Sequence, residues 1–510
     1  MPRTNLDQGP SSRLLARNAL LNLSTQFIVA VVAILLVPII IRGLGTDGYG
    51  LLALAMVVFG TFSVLDLGLG RATTKYVAEY LSQSELQKLA GVVWASLVIQ
   101  ILLGSIAGFL LAILAPILAG RVLQVPYDRI GDATATLYVL AASGPIVLAT
   151  STLRGALEGA HRFDLVNYVK IFLNLSTYVI PLAFIQQDFV WAIVFWMLIA
   201  RLVAMAAFLI GCLHVIPALR QKFLFSKASL LALFRYSGWV AVSNVIVPFL
   251  VQLDRFLIAS LVTLGAVTFY SAPYELLYGL WIIPGSITAV LFPAFSGLQR
   301  GDQKRVAELV IRPIKYILIT LGPLVLVLMA FSEAILFFWL GEPFSDKSKH
   351  VLQLLAFGVL INSLAWVPTS LVGGFGRPDV TTKIHLAQLP LYLGIAYPLI
   401  SNWGVVGAAI AFCLRVTFEA VLLFNASMRL VPQIRVLVHD AGILSAVKCL
   451  IIFAFVVFGV GLVTTNLVWQ LCITGVSASG FVFAAWTNVL DENDKKWIAS
   501  FLPSHRPADS

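Results

Sequence analysis

The sequence predicts an all-α integral membrane protein with about 14 transmembrane helices. Three observations predict it. The 510 residues are 60% hydrophobic and only 11% charged, with a mean hydropathy of +0.95. Soluble domains carry roughly 25% charged residues, so a soluble fold of this length would lack the charge to cover itself. The chain also divides into about 14 apolar runs near the ~20-residue length that spans a bilayer. Finally, Lys and Arg gather in alternate loops, as expected when basic loops stay cytoplasmic.

The runs lie near residues 19–41, 50–69, 90–117, 134–155, 165–186, 189–214, 238–262, 266–296, 313–339, 350–374, 381–402, 404–426, 441–465 and 467–488. The run 266–296 is long, and Pro273 and Pro284 inside it predict a kink. The polar ends, MPRTNLDQGPSSR (1–13) and DENDKKWIASFLPSHRPADS (491–510), read as mobile and dispensable for the fold, within cytoplasmic tails at 1–18 and 489–510. With the N-terminus cytoplasmic, inside segments such as RQKFLFSK (220–227) and RGDQKRVAELVIRPIK (300–315) hold about 24 Lys and Arg, and outside loops about 5. Both termini are then cytoplasmic. These loops account for the net charge of +10 without nucleic acid. Outside loops of roughly 4–17 residues leave no room for an external catalytic domain. The first run is too long for a cleavable signal peptide and lacks a small-residue cleavage site. Cys212, Cys413, Cys449 and Cys472 sit in apolar runs without metal-ligand spacing and read as small hydrophobes.

The segment GLGTDGYG (43–50) matches the dinucleotide fingerprint GxGxxG. That motif needs a short strand before it and a soluble helix after it. Membrane spans flank it here, so it reads as a tight outside turn. It also has a counterpart, LGAVTFY (264–270), after the seventh run. LEGAHRFD (157–164) and VGGFGRPD (372–379) place Gly159, Arg162 and Asp164 against Gly374, Arg377 and Asp379 at one offset. Arg201 and Arg415 follow at nearly the same offset. Together these define an internal repeat of two six-helix halves in parallel orientation. The halves are 19–215 and 237–426, joined by a cytoplasmic linker at 216–236, with two additional helices at 441–488.

The first helix pair carries a family resemblance: an apolar helix, then LG-x-x-x-YG, then a second apolar helix closing in DLGLG and Arg71. With LDRFLIASLVTLGAVTFYSAPYELL (253–277), IPGSITAVLFPAFSGL (283–298) and LVGGFGRPDV (371–380), the chain resembles the Wzx-type oligosaccharide flippases. These form the polysaccharide-export branch of the multidrug/oligosaccharidyl-lipid/polysaccharide exporter superfamily. The resemblance covers roughly residues 15–430. It implies a V-shaped, MATE-like pair of six-helix bundles related by a pseudo-two-fold axis. It further implies that the protein flips undecaprenyl-diphosphate-linked oligosaccharide outward across a bacterial cytoplasmic membrane by alternating access, during surface polysaccharide biosynthesis. Membrane lipid, a polysaccharide polymerase and glycosyltransferases are the partners this implies.

Flipping requires a polar cleft with cations for the diphosphate, and Arg suits phosphate because its fork binds two oxygens at once. Arg255 and Arg201 are the cleft candidates. Asp254 stands beside Arg255, and neighbours on a helix point about 100° apart, so one of the two reaches the cleft or another helix. Arg415 and Glu419, at i and i+4, are placed to pair on one face. Lys170 has the position of a snorkelling residue, and Lys448 belongs to the additional helices. Asp66, Asp254 and Glu275 are candidates for coupling to H⁺ or Na⁺, because a buried carboxylate takes up and releases a proton. A structural pairing of Asp66 with Arg71 is the competing reading. Tyr270, Tyr274 and Tyr278 recur every fourth residue, with Trp281 following. Tyr274 and Tyr278 lie too deep for an interfacial belt and are candidates for sugar contact. Asn18, Asn22 and Gln26 form a similar row in the first helix, which lines water or bonds a neighbouring helix. Asn22 and Gln26 are the cleft candidates among them.

No cofactor and no metal is expected. The remaining functional alternatives are a peptidoglycan-precursor flippase, a cation-coupled drug exporter and a membrane glycosyltransferase or ligase. The short outside loops argue against the last, and no Walker motif for ATP appears.

Overall fold

The computed structural model describes residues 12–186, 189–220, 246, 249–297, 303–440, 442–492 and 494–495. Every regular element among the described residues is helical. The first part of the chain forms α1 (Ser12–Val64), α2 (Leu69–Ser82), α3 (Leu86–Ile117), α4 (Ile130–Gly159), α5 (Phe163–Ala183), α6 (Val190–Val215), α7 (249–261) and α8 (Ala266–Tyr278). It continues with α9 (Ile282–Gly297), α10 (Gln303–Ala330), α11 (Ser332–Leu340), α12 (Glu342–Gly374), α13 (Pro378–Leu430), α14 (Gln433–Asp440), α15 (Ile443–Val463) and α16 (Leu467–Asn488). Ten helical stretches among the described residues are long and apolar enough to cross a membrane, and the protein is a multi-pass membrane protein.

The expected runs are found in helices as far as the described residues extend; residues 238–245 of the seventh run lie outside them. Two helices hold two runs apiece. α1 turns at Gly45, with φ +69°, and α13 turns at Gly404, with φ +56°. Only glycine enters this backbone region at no steric cost, so the chain reverses there without a loop. The long run 266–296 breaks at a 3₁₀ turn, Gly279–Trp281, between its two prolines. Linker residues 221–236 lie outside the described residues.

The helices pack into two units. Unit 1 comprises residues 1–279 and 385–411, and unit 2 comprises 280–384 and 412–510. Unit 1 thus takes in residues that the repeat assigns to the second half.

In unit 1, α4 packs against α2, α3 and α6, and α1 against α5 and α8. A Cβ on Gly104 of α3 would stand 2.6 Å from the Gly144 carbonyl of α4, so the two backbones touch. Ser96 of α3 bonds the hydroxyls of Thr73 on α2 and Thr152 on α4, at 3.0 Å each. In a membrane such interhelical bonds contribute about 0.6 kcal/mol apiece. Val77, Leu89, Leu153, Leu157, Val166 and Phe208 close an apolar core around the same helices. Asp132 of α4 accepts the first amides of α6, Val190 at 3.1 Å and Trp191 at 3.0 Å, and so fixes where α6 begins.

The two repeat-related turns meet in unit 1. Thr268 donates its hydroxyl to the Thr46 carbonyl at 2.6 Å. A side chain on Gly50 would collide with the Leu264 carbonyl, and one on Gly265 with the Asp47 carboxylate. Gln124, between α3 and α4, braces the second of these turns. Its amide donates to the Ala259 carbonyl at 2.9 Å, and its carbonyl accepts from Leu264 at 3.3 Å.

The second repeat signature is also reproduced, once in each unit. Arg162 grips Asp164 through Nε and Nη2, both at 2.9 Å. Arg377 grips Asp379 the same way, at 3.0 and 3.2 Å. The preceding residues, His161 and Gly376, both have positive φ.

In unit 2, α10 packs against α12, α14 and α15. Lys315 of α10 is 2% exposed and pairs with Asp494, which also accepts from the Tyr316 hydroxyl at 2.5 Å. Asp491 and Asp494 cap each other's amides at 2.7 and 3.1 Å. The tail expected to be mobile from residue 491 is therefore held at Asp491 and Asp494. A buried cation on α10 requires a carboxylate there. Of the four cysteines, Cys212 and Cys413 are buried and each donates to a backbone carbonyl.

Candidate functional site

The charged residues of unit 1 converge on α7 and α8. Two consecutive residues of α7 find two consecutive partners on α8. Asp254, 1% exposed, accepts from the Tyr270 hydroxyl at 2.7 Å. Arg255, 6% exposed, donates from Nε to the Ser271 hydroxyl at 3.1 Å and from Nη1 to the Gln252 side-chain oxygen. The two charges diverge as neighbours on a helix must, and each meets its own partners. The Arg255 guanidinium also lies 4.6 Å from the centroid of the Tyr274 ring, a cation–π contact.

Glu275 extends the cluster. Its carboxylate accepts from the Tyr178 hydroxyl of α5 at 3.2 Å and interacts with Arg255. Tyr49, from the GLGTDGYG turn, is within electrostatic reach of both Glu275 and Arg255. The tyrosine row lies on one face of α8, but its members differ in surroundings. Tyr270 and Tyr274 are buried and stacked with centroids 6.3 Å apart. Tyr274 is covered by Arg255, while Tyr278 is 59% exposed.

Arg201 of α6 is placed differently. Its guanidinium lies 3.9 Å above the Phe59 ring of α1. Its buried Nε has no hydrogen-bond partner, and no carboxylate pairs with it among the described residues. Gly60, next to Phe59, faces the Gln252 amide, with only 3.5 Å to a Cβ built there. A short interior strip therefore runs from Arg201 through Phe59 and Gly60 to Gln252, Arg255 and Glu275.

Asp66 belongs to a separate group. It accepts from the Gly70 amide at 3.0 and 3.1 Å and from the Gln100 amide, with Ser151 and Arg154 nearby. Arg71 is exposed and makes no ion pair with it among the described residues. Lys170 meets Glu158 at 3.4 Å. Gln26 is exposed on α1, and the side chains of Asn18 and Asn22 lie outside the described residues. Arg415 is buried in unit 2 with its guanidinium 5.4 Å from the Phe412 ring centroid, and Lys448 is exposed on α15. No group of His, Cys, Asp or Glu among the described residues is arranged to hold a metal.

Sequence reasoning missed Tyr49, Tyr178, Gln252, Ser271 and Phe59. A polar residue in an apolar helix is the only local signal for these, and Phe59 has none. Their roles come from which helices are neighbours.

A multi-pass helical bundle with this charged interior has the fold of the MATE-type transporters. It superposes on an inward-facing MATE multidrug resistance transporter with a TM-score of 0.66 at 15% identity, covering 82% of this chain and 99% of that one. On the lipid II flippase MurJ in an inward closed conformation the score is 0.68 at 12% identity, covering 90% and 97%. The chain belongs to the polysaccharide biosynthesis protein family, matched over residues 15–299. It is 28% identical over 409 residues to a Shigella flexneri protein named "Putative O-antigen transporter", covering 80% of this chain and 96% of that one.

Proposed function

We propose that this protein is a flippase. It moves an undecaprenyl-diphosphate-linked oligosaccharide from the cytoplasmic to the outer leaflet of a bacterial cytoplasmic membrane, by alternating access between the repeat-related halves 19–215 and 237–426. The observation that carries this reading is Arg201. A half-buried arginine whose buried Nε has no partner, stacked on Phe59 with no anion beside it among the described residues, is costly in a low-dielectric interior. A diphosphate supplies the missing charge and accepts its fork. Family membership and the O-antigen relative support a glycan cargo.

Arg255 is the second phosphate contact in this reading. Its present partners are neutral groups and the Glu275 charge, so a phosphate would compete with Glu275 for it. Glu275 is then the coupling group. Displaced from Arg255, it gains a reason to take up H⁺ or Na⁺, and its release restores the pair.

The test is to delete the gene and locate the lipid-linked glycan. Build-up on the inner leaflet is expected, with loss of surface polysaccharide. Normal surface glycan with new drug sensitivity would replace this reading with the drug-export one.

A further inference from the structure

Unit 2 holds a second arrangement with the chemistry of a ligand site. Trp281, in the 3₁₀ turn between α8 and α9, donates its indole N–H to the Asn362 side-chain oxygen at 3.1 Å. Trp366, one turn along α12 from Asn362, donates to the same oxygen at 3.3 Å. An amide oxygen has two lone pairs, so the two indoles use both. The Asn362 amide nitrogen keeps two donors, and no acceptor meets them among the described residues. All three side chains are half-buried. A Cβ on Gly285 of α9 would come within 3.6 Å of the Trp366 ring, so that glycine lets the indole lie close to the α9 backbone.

An interfacial aromatic belt does not explain this cluster. About 18 Å of helix separates Asn362 from the Gly374 end of α12, which places it near the centre of a ~30 Å hydrocarbon layer. Amide donors without acceptors are costly at that depth, so they point to water or a polar ligand. Two indoles fixed at one amide offer apolar faces beside a pair of donors. A sugar has this mixed character, with C–H faces and hydroxyl acceptors. A drug-like cation would call for a carboxylate.

We propose that Trp281, Asn362 and Trp366 form a glycan subsite that holds the sugar of the lipid-linked cargo. This rests on the flippase reading.

The experiment titrates purified full-length protein in nanodiscs with undecaprenyl diphosphate, and with the same lipid carrying one hexose or one N-acetylhexosamine. Wild-type protein should bind a sugar-bearing lipid about tenfold more tightly than the bare one. Asn362→Leu and Trp366→Ala should erase that difference and leave affinity for the bare lipid unchanged. If Trp366→Ala does not fold, Trp366→Phe keeps a ring there but removes the indole donor. Variants that retain the sugar preference, or that lose both lipids equally, overturn the proposal while leaving the flippase reading in place. Wild-type protein that binds neither lipid overturns both.

Discussion

Thr268 donates its hydroxyl to the Thr46 carbonyl at 2.6 Å and so joins two turns related by the internal repeat. Gly50 and Gly265 make the approach possible, because a side chain on either would strike the opposite turn. If the halves part at this end during transport, the contact must break. An Asp47→Cys, Gly265→Cys pair, oxidised to a disulfide, should lower export at least tenfold, and reduction should restore it. Gly50→Val should also impair export, since overpacking of this kind costs about 1–3 kcal/mol. Full export by the oxidised pair would show that the turns never separate.

Arg255 and Arg201 should behave differently when truncated. Arg255→Ala leaves the Ser271 and Gln252 side chains without their donor, and leaving a buried polar group unsatisfied costs about 1–3 kcal/mol. Export should fall about 100-fold or more, the melting temperature should drop, and the protein should stay in the membrane. Arg201→Ala strands no partner among the described residues. It should lose export without losing thermal stability. Surface-glycan assays paired with unfolding scans separate the two. Wild-type glycan from either variant removes that arginine from the site.

Lys315 and Asp494 anchor the C-terminal segment to α10. Lys315→Ala leaves a buried carboxylate unpaired and should destabilise the protein by about 3–5 kcal/mol. Lys315→Met with Asp494→Leu should recover most of that, and a chain ending at Leu490 should resemble the single variant. Thermal unfolding in detergent reads all three. Burial pushes the Asp494 carboxyl up, but bonds from Lys315, Tyr316 and the Asp491 amide outweigh it and hold it below the usual carboxylate range. A depressed carboxyl contributes stability that is fully present above its unfolded value of about 3.9. The anchor should therefore be intact at pH 5 and weaken only as the pH falls below about 4.

Sidedness follows from the basic loops. Tyr127, 92% exposed between α3 and α4, should face outside, and exposed Lys304 at the start of α10 should face the cytoplasm. An impermeant maleimide should label Tyr127→Cys in intact cells, and Lys304→Cys only after permeabilisation. The reverse pattern would invert the topology and the proposed direction of transport.

Much of the fold was legible because hydrophobic run length is a local property. The described parts of the runs are helical, and the kink expected near Pro273 and Pro284 appears as the turn between them. The repeat was legible in a few residues. Arg162 with Asp164 and Arg377 with Asp379 form the same bidentate pair because both positions share one turn geometry. Of the site, Asp254 and Arg255 could be read as needing separate partners from the angle between helix neighbours alone. The tyrosine row was legible as a stripe. Its division into buried Tyr274 and exposed Tyr278 was not, because spacing says which residues share a face and not what covers it.

By itself the sequence determined the class of protein, the helices and the existence of two related halves. Each rests on composition or on intervals of a few residues. Tertiary structure alone decided which charge meets which. Glu275 reaches Tyr178 across 97 positions, and Lys315 reaches Asp494 across 179. A charge in an apolar helix announces that it needs a partner, because lipid supplies none. Only the packing of helices far apart in the chain settles which residue that partner is.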